Sequence, residues 1–269
     1  MLHLPALAIV AGLTAVIATI MLSTKNPGLF LNLPGLTIII GGVLTSLFVS
    51  YSKSDIQSAI NAVKLLFNDT PIDKPKTIKT LTHIAYLWAR HDLREIEKQL
   101  STLDNHFVKT GIQKIIDGHH SADIAATLNW KIEQLRNTEY GAAKMFHSLA
   151  MFAPAFGMVG TLLGLVNMMF LINEQASTSI ANHLAVALVT TFYGLVFANL
   201  FFKPVAIKLE RRADLLVEWM RVVGEGIMMI EKRKSPGFIQ QTMDTLAPTH
   251  KSNPNRSLLS REVELLLNN

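Results

Sequence analysis

The sequence predicts an all-α membrane protein with four transmembrane helices, a helical cytoplasmic subdomain between the second and third, and a cytoplasmic stalk after the fourth. Three observations carry this. Residues 1–24, 26–52, 145–173 and 175–202 contain no Asp, Glu, Lys or Arg, and each window exceeds the roughly 20 residues that cross a bilayer as a helix. The 269 residues are 49% hydrophobic and only 17% charged, and all the charge falls outside those windows. The charged remainder repeats its apolar residues at helical spacing, with no strand-like alternation. The expected divisions are a transmembrane hairpin at 1–51, a cytoplasmic helical region at 52–145 and the third and fourth membrane helices at 146–204. A helical stalk at 205–246 and a flexible tail at 247–269 complete the chain.

In chain order, Leu4 to Leu22 is the first membrane helix, with Ala11, Gly12, Ala15, Ala18 and Thr19 along it. Asn26-Pro27-Gly28 makes a short outer turn, so the second helix, from Pro34-Gly35 through Gly41-Gly42 to Tyr51, forms an antiparallel hairpin with the first. Ser54-Asp55 caps a helix whose Ile56, Ile60, Val63 and Phe67 hold one face. After a turn with two prolines (Pro71 and Pro75), Ile78, Leu81, Ala85 and Trp88 mark the next helix, and Leu93, Ile96 and Leu100 a third. Asp117-Gly118 ends another short helix. Ser121 caps a long one, through Ile124, Leu128 and Leu135, that runs directly into the third membrane helix. Trp88, Trp130 and Trp219 fall outside the apolar windows and are core candidates. An amphipathic stretch from Leu209 to Ile230 continues the fourth membrane helix as the stalk, and the polar segment APTHKSNPNRS opens the tail.

Basic residues set the orientation. Of 25 Lys and Arg, 13 lie between Tyr51 and His147 and 11 from Lys203 onward, which places the large loop, the C-terminus and hence the N-terminus in the cytoplasm. No basic residue precedes the first apolar run, so no secretory signal is expected. The chain has no cysteine, which excludes disulfides and thiolate metal sites. The net charge of +5 is topological and attracts anionic lipid rather than nucleic acid. No nucleotide loop, catalytic triad or acid pair is present, so the chain does not read as an enzyme, and no cofactor is expected. Adjacent His119 and His120 lack further ligands, so no metal site is expected either.

Two strings organise the rest: FAPAFGMVGTLLGLV from Phe152 and LAVALVTTFYGLVFANLFFKP from Leu184. In the first, Ala153, Gly157, Gly160, Thr161 and Gly164 share one helix face; in the second, Ala187, Thr191, Gly194 and Ala198 do. Small residues at this spacing let helix backbones approach closely in lipid. Each face also carries a hydroxyl near its middle, so these residues serve as packing glue or as an ion path. None of the charge-free windows offers Asp or Glu, and threonine does not titrate near neutral pH. Conduction by a carboxylate mechanism therefore requires a partner to supply the carboxylate.

These strings resemble the third and fourth membrane helices of the flagellar stator family MotA/PomA, the ion-driven torque unit of bacterial motility, and look more like its PomA branch. The likeness covers nearly the whole chain, to about Thr242. It implies an inner-membrane homo-oligomer, a pentamer, around two helices of a single-pass MotB/PomB-type partner that contributes an Asp, with H+ or Na+ as the transported ion. By resemblance Thr161 lies near the ion, as in sodium-driven stators, and Thr191, with Thr190 beside it, is the hydroxyl common to both branches. Pro154 and Pro204 match two prolines that couple ion flow to motion, though by chemistry alone they are equally static kinks. Met151 stands where the family usually has an Asp.

The string WARHDLREIEKQL resembles the rotor-facing segment that meets the switch protein FliG, with Arg90, His91 and Glu97 at its basic and acidic positions and its usual glycine absent. On charge alone this is a solvated helix end. The alternative family is the related ExbB/TolQ energiser of outer-membrane transport, which has three membrane helices and lacks a hairpin before the large loop. A secondary transporter would show inverted repeats or a buried ionisable site, and the chain reads as having neither.

Overall fold

The computed structural model describes residues 11–12, 14–15, 18–19, 21–23, 27–67, 73–103, 105–171 and 177–247. Among them every regular element is helical. After a 3-10 turn at Pro27–Phe30 come α1 (Leu33–Ser50), α2 (Lys53–Phe67), α3 (Lys74–Ala89), α4 (Leu93–Thr102), α5 (His106–Ile116) and α6 (Ser121–Leu171). Then follow α7 (Ser177–Val196), a π-helical segment at Phe197–Phe202, α8 (Lys203–Glu231) and α9 (Pro236–Leu246). Among the described residues three stretches are long and apolar enough to cross a membrane: Leu33–Ser50, the apolar part of Ser121–Phe170 and the apolar part of His183–Glu231, each with mean hydropathy 1.9. Most of the expected first helix, Leu4–Leu22, lies outside the described residues; those described at 11–12, 14–15, 18–19 and 21–23 are helical. The expected tail from 248 onward also lies outside them.

The chain forms two compact units, with α6 and α8 contributing to both. The first comprises residues 1–71 and 136–213. α1 starts at Asn32, whose Oδ1 accepts from the Gly35 N–H at 3.0 Å, with proline in the first turn, where its missing N–H costs nothing. α2 starts with a reciprocal box: the Ser52 N–H donates to Asp55 Oδ2 at 3.1 Å, and the Asp55 N–H donates to Ser52 Oγ at 3.3 Å. The cap is therefore Ser52, two residues before the expected Ser54. Of the expected apolar face of α2, Ile56 and Val63 pack partly buried on the core, but the centre of the buried face lies to one side of them. Ala59, Ala62 and Leu66 are buried, against Ala142, Ala143, Met145, Val205 and Leu209, while Ile60 is 49% exposed. Small side chains on both partners admit close backbone approach, so the alanine stripe faces inward and the larger Ile60 falls outside; the Phe67 side chain is not among those described.

α6 has 51 residues, about 75 Å at 1.5 Å per residue, and runs unbroken from Ser121 through Pro154, as its sequence pattern predicts. After α7 the helix widens. The Lys203 N–H donates to the Ala198 carbonyl, five residues back, immediately before Pro204, which has no N–H to give. Proline thus coincides with a local change of helical register.

The second unit comprises residues 72–135 and 214–269. Its core joins Ile78, Leu81 and Ile84 of α3, Ile96 of α4, Ile112 of α5, Ile124 and Leu128 of α6, Val223 and Ile227 of α8, and Ile239 and Met243 of α9. Side chains of Asp73, Asp92, Asn105 and Ser235 cap the starts of α3, α4, α5 and α9 by accepting backbone N–H bonds. Two expectations fail here. Leu93 is 44% exposed rather than facing the core, because it stands at the first turn of α4, ahead of the buried Ile96 and Leu100. Of the tryptophans, Trp219 is 2% exposed and Trp88 packs against the core, but Trp130 is 64% exposed. Ile124, Leu128 and Ile132, four apart, point inward, and Trp130 lies two residues off that register on the opposite face of α6.

Candidate functional site

The seam between α6 and α7 is built on glycine. A methyl added at Gly164 would come 2.7 Å from Ala187 Cβ, and at Gly160 2.1 Å from Thr190 Cγ2. At Gly157 it would meet Thr191 Cα at 3.2 Å, and at Gly194, from the opposite helix, the Ala153 carbonyl oxygen at 2.6 Å. A methyl would clash outright at Gly160, Gly164 and Gly194, whereas at Gly157 the neighbouring backbone would have to give by only a few tenths of an ångström.

Three threonines line this approach, in different settings. Thr191 Oγ1 donates across the seam to the Gly157 carbonyl at 3.3 Å. Thr190 Oγ1 donates to Val186 O at 2.7 Å, and Thr161 Oγ1 to Met158 O at 2.6 Å, each within its own helix. Thr190 is fully buried, with Gly160 of α6 on one side and Gly35 of α1 on the other. Thr161 and Thr191 are only half-buried. All three hydroxyls spend their proton on a backbone carbonyl and keep oxygen lone pairs, which suits water or a cation and supplies no titrating group. Pro154 lies half-buried on the same stretch of α6, its Cα beside Gly194, while Met151 one turn earlier is 66% exposed. Pro204 follows the π segment, in the first turn of α8.

A residue missed in the sequence ties this seam to α1. The Tyr193 hydroxyl donates to the Phe30 carbonyl and accepts from the Asn32 N–H at 3.2 Å. Asn32 Nδ2 beside it is buried with no hydrogen-bond partner among the described residues. A tyrosine inside the apolar string TTFYG was the only hint, and its partners stand more than 160 positions earlier.

In the second unit, Arg90, His91 and Glu97 are all exposed. Arg90 caps the end of α3 and folds back on it: its guanidinium lies 5.2 Å from the Tyr86 ring centre, and Nη1 donates to the Tyr86 hydroxyl at 2.8 Å. His91 follows with a left-handed backbone, φ 57°. Glu97 projects from α4, beyond the Glu95–Lys98 pair at 3.6 Å.

Apolar helix stretches long enough to span a bilayer, joined by a glycine seam that carries hydroxyls, define a helical protein of the membrane-spanning class. Residues 99–222 match the MotA/TolQ/ExbB proton channel family. The chain is 30% identical to chemotaxis protein PomA of Vibrio alginolyticus over 87% of its own length and 90% of that protein. It is 29% identical to motility protein A of Treponema pallidum over 87% of its length and 89% of that protein. Its fold matches that of C. jejuni MotAB with a TM-score of 0.81 at 21% identity, covering 92% of this chain and 96% of that one. The chain belongs to the MotA/TolQ/ExbB family. PomA and motility protein A match it to the same degree, so the expected leaning to the PomA branch draws no support from them.

Proposed function

We propose that this chain is the multi-span stator subunit of a bacterial flagellar motor, coupling H+ or Na+ flow to rotor torque. The observation that carries the reading is the α6–α7 seam, with hydroxyls at Thr161, Thr190 and Thr191 and no Asp or Glu on the charge-free helices, in a chain of this family. A cation passing such hydroxyls needs a counter-charge that the seam lacks, which supports a MotB/PomB-type partner bearing the Asp. Under this reading four helices cross the inner membrane with both termini cytoplasmic, and five copies surround two partner helices. Residues 52–145 form the rotor-facing region, 205–246 the stalk and 247–269 a tail. Gly157, Gly160, Gly164 and Gly194 hold the seam, Pro154 and Pro204 act as hinges, and Arg90, His91 and Glu97 meet FliG.

The test is the swimming speed of stator-null cells carrying this chain and its cognate partner, at varied sodium and with a protonophore. Speed that follows sodium and survives the protonophore identifies a sodium stator; speed abolished by the protonophore and indifferent to sodium identifies a proton stator. No motility under either condition, with both proteins in the membrane, refutes the stator reading and favours an energiser of outer-membrane transport.

A further inference from the structure

Three helix ends in the second unit close by the same backbone device. The residue two beyond the cap bonds back to the third-last residue of the helix: Asp92 N–H to Leu87 O at 3.1 Å after α3, His119 N–H to Lys114 O at 3.1 Å after α5, and Lys234 N–H to Met229 O at 3.0 Å after α8. The residue between takes a left-handed backbone in each case: His91 at φ 57°, Gly118 at 72° and Arg233 at 53°. Glycine adopts this conformation freely, whereas a side chain there crowds the following carbonyl. Only α5 uses glycine.

The two ends that forgo glycine are the two whose side chains meet. Arg233 Nη1 stands 3.4 Å from His91 Nε2, linking turns that lie 142 residues apart in sequence. Both residues are exposed, and Lys232 and Lys234, which flank Arg233, are exposed as well. Arg90 adds its guanidinium from the first turn, held on Tyr86. Nearby acids are partly engaged: Asp92 accepts from the Glu95 N–H at 3.3 Å, and Glu95 pairs with Lys98. A strained backbone kept at two touching positions, where glycine would relieve it, points to side chains retained for what they contact.

We propose that the α3–α4 and α8–α9 turns form one cationic docking surface for an acidic protein face, and that Arg233 is a contact residue on it. This rests on the reading of the Arg90 turn as the rotor contact, and adds to that contact a second turn that the sequence does not place beside the first. Electrostatic contacts of this kind set specificity and encounter rate while remaining weak enough to break.

The experiment measures the torque of tethered stator-null cells carrying the full chain with its partner, together with the membrane level and melting temperature of the complex. Arg233→Gly suits the left-handed backbone, so it should keep level and melting temperature while lowering torque several-fold. Arg233→Glu should lower torque further, and Arg233→Lys should restore most of it. Arg90→Glu is the reference. Full torque for Arg233→Gly and Arg233→Glu beside a defective Arg90→Glu overturns the proposal and leaves the rotor contact standing. Full torque for Arg90→Glu, Glu97→Lys and Arg233→Glu alike overturns the rotor contact itself. Loss of melting temperature in Arg233→Gly would show a purely structural residue and also overturn the proposal.

Discussion

Replacing Gly160 by alanine measures how tightly the α6–α7 seam is closed. The added methyl would lie 2.1 Å from Thr190 Cγ2 and 2.8 Å from Thr190 Cβ. Unstrained carbons rest at about 3.5 Å, so the shortfalls are about 1.4 Å and 0.7 Å. Turning Thr190 about χ1 moves Cγ2 but leaves Cβ in place, and Thr190 is fully buried with its hydroxyl committed to Val186 O. The helices must therefore part by about 0.7 Å or more, which for an overpacked site costs roughly 1–3 kcal/mol. Gly157→Ala, whose nearest neighbours are Thr191 Cα at 3.2 Å and Thr190 O at 3.3 Å, needs only a few tenths of an ångström and should cost less. Gly41→Ala and Gly141→Ala meet nothing within 4 Å, and should be neutral or stabilising by up to about 1 kcal/mol. Thr190→Ser removes Cγ2, so in the Gly160→Ala background it should recover part of the loss, with the 2.8 Å Cβ contact keeping the rest. Thermal unfolding of the detergent-purified protein, followed by monodispersity, reads the series. If Gly160→Ala melts with the parent, or Gly157→Ala is the more damaging of the two, the seam is not closed as described.

Tyr193→Phe leaves the Phe30 carbonyl and the Asn32 N–H without their partner, and should destabilise by about 1–3 kcal/mol; an unchanged denaturation midpoint would remove Tyr193 from the account. Thr191→Ala deletes the hydrogen bond to the Gly157 carbonyl and should stop swimming at normal membrane levels, and wild-type speed would exclude its hydroxyl from the path. Thr161→Ala, whose hydroxyl bonds only within α6, should instead change how speed depends on sodium; an identical sodium curve would count against its role. Pro204→Ala returns an N–H to the helix and should let the π segment at Phe197–Phe202 regain α register. The chain has no cysteine, so spin labels at two introduced cysteines flanking the segment report this directly, and an unchanged distance refutes it.

Exclusion of charge made the apolar helices legible, because a stretch of 27 to 29 residues without Asp, Glu, Lys or Arg leaves few alternatives to a span. The continuity of α6 was legible for a related reason: nothing between Ser121 and Leu171 breaks a helix except Pro154, and the apolar spacing continues through it. Size proved harder to read than polarity. On α2 the larger residues suggested the inner face; Ile56 and Val63 do pack there, but close approach centres the face on Ala59 and Ala62 and leaves Ile60 outside. Trp130 shows the opposite error, where residue type was weighed above the four-residue spacing of Ile124, Leu128 and Ile132. The expected helical stalk at 205–246 covers α9 but not its separation from α8 as an element of its own: its buried residues, Ile239 and Met243, are too few to show a periodicity before their partners are known. Which residue meets which was never in the sequence. The GxxxG pattern announces a close approach, but not that Gly160 faces Thr190 or that Phe30 reaches Tyr193.

On the proposed stator reading, the hydroxyls account for a path whose charge sits on a partner rather than on this chain. A buried carboxylate without an ion is costly, because it must either find a counter-charge or take up a proton. Thr161, Thr190 and Thr191 carry no such cost, since each donates its proton to a backbone carbonyl when no ion is present and still offers lone pairs when one arrives. On that reading the seam would be satisfied with or without an ion and would have no electrostatic reason to move between the two. The element that changes charge on ion binding would, on the same stator reading, be a carboxylate on the partner, so the driving imbalance would arise there while the glycine seam stays closed. Placing a carboxylate on the chain itself, as in Thr191→Asp, should bring that imbalance into the seam and separate ion binding from torque. Ion occupancy without rotation is the expected result, and full torque from this variant would refute the division of labour.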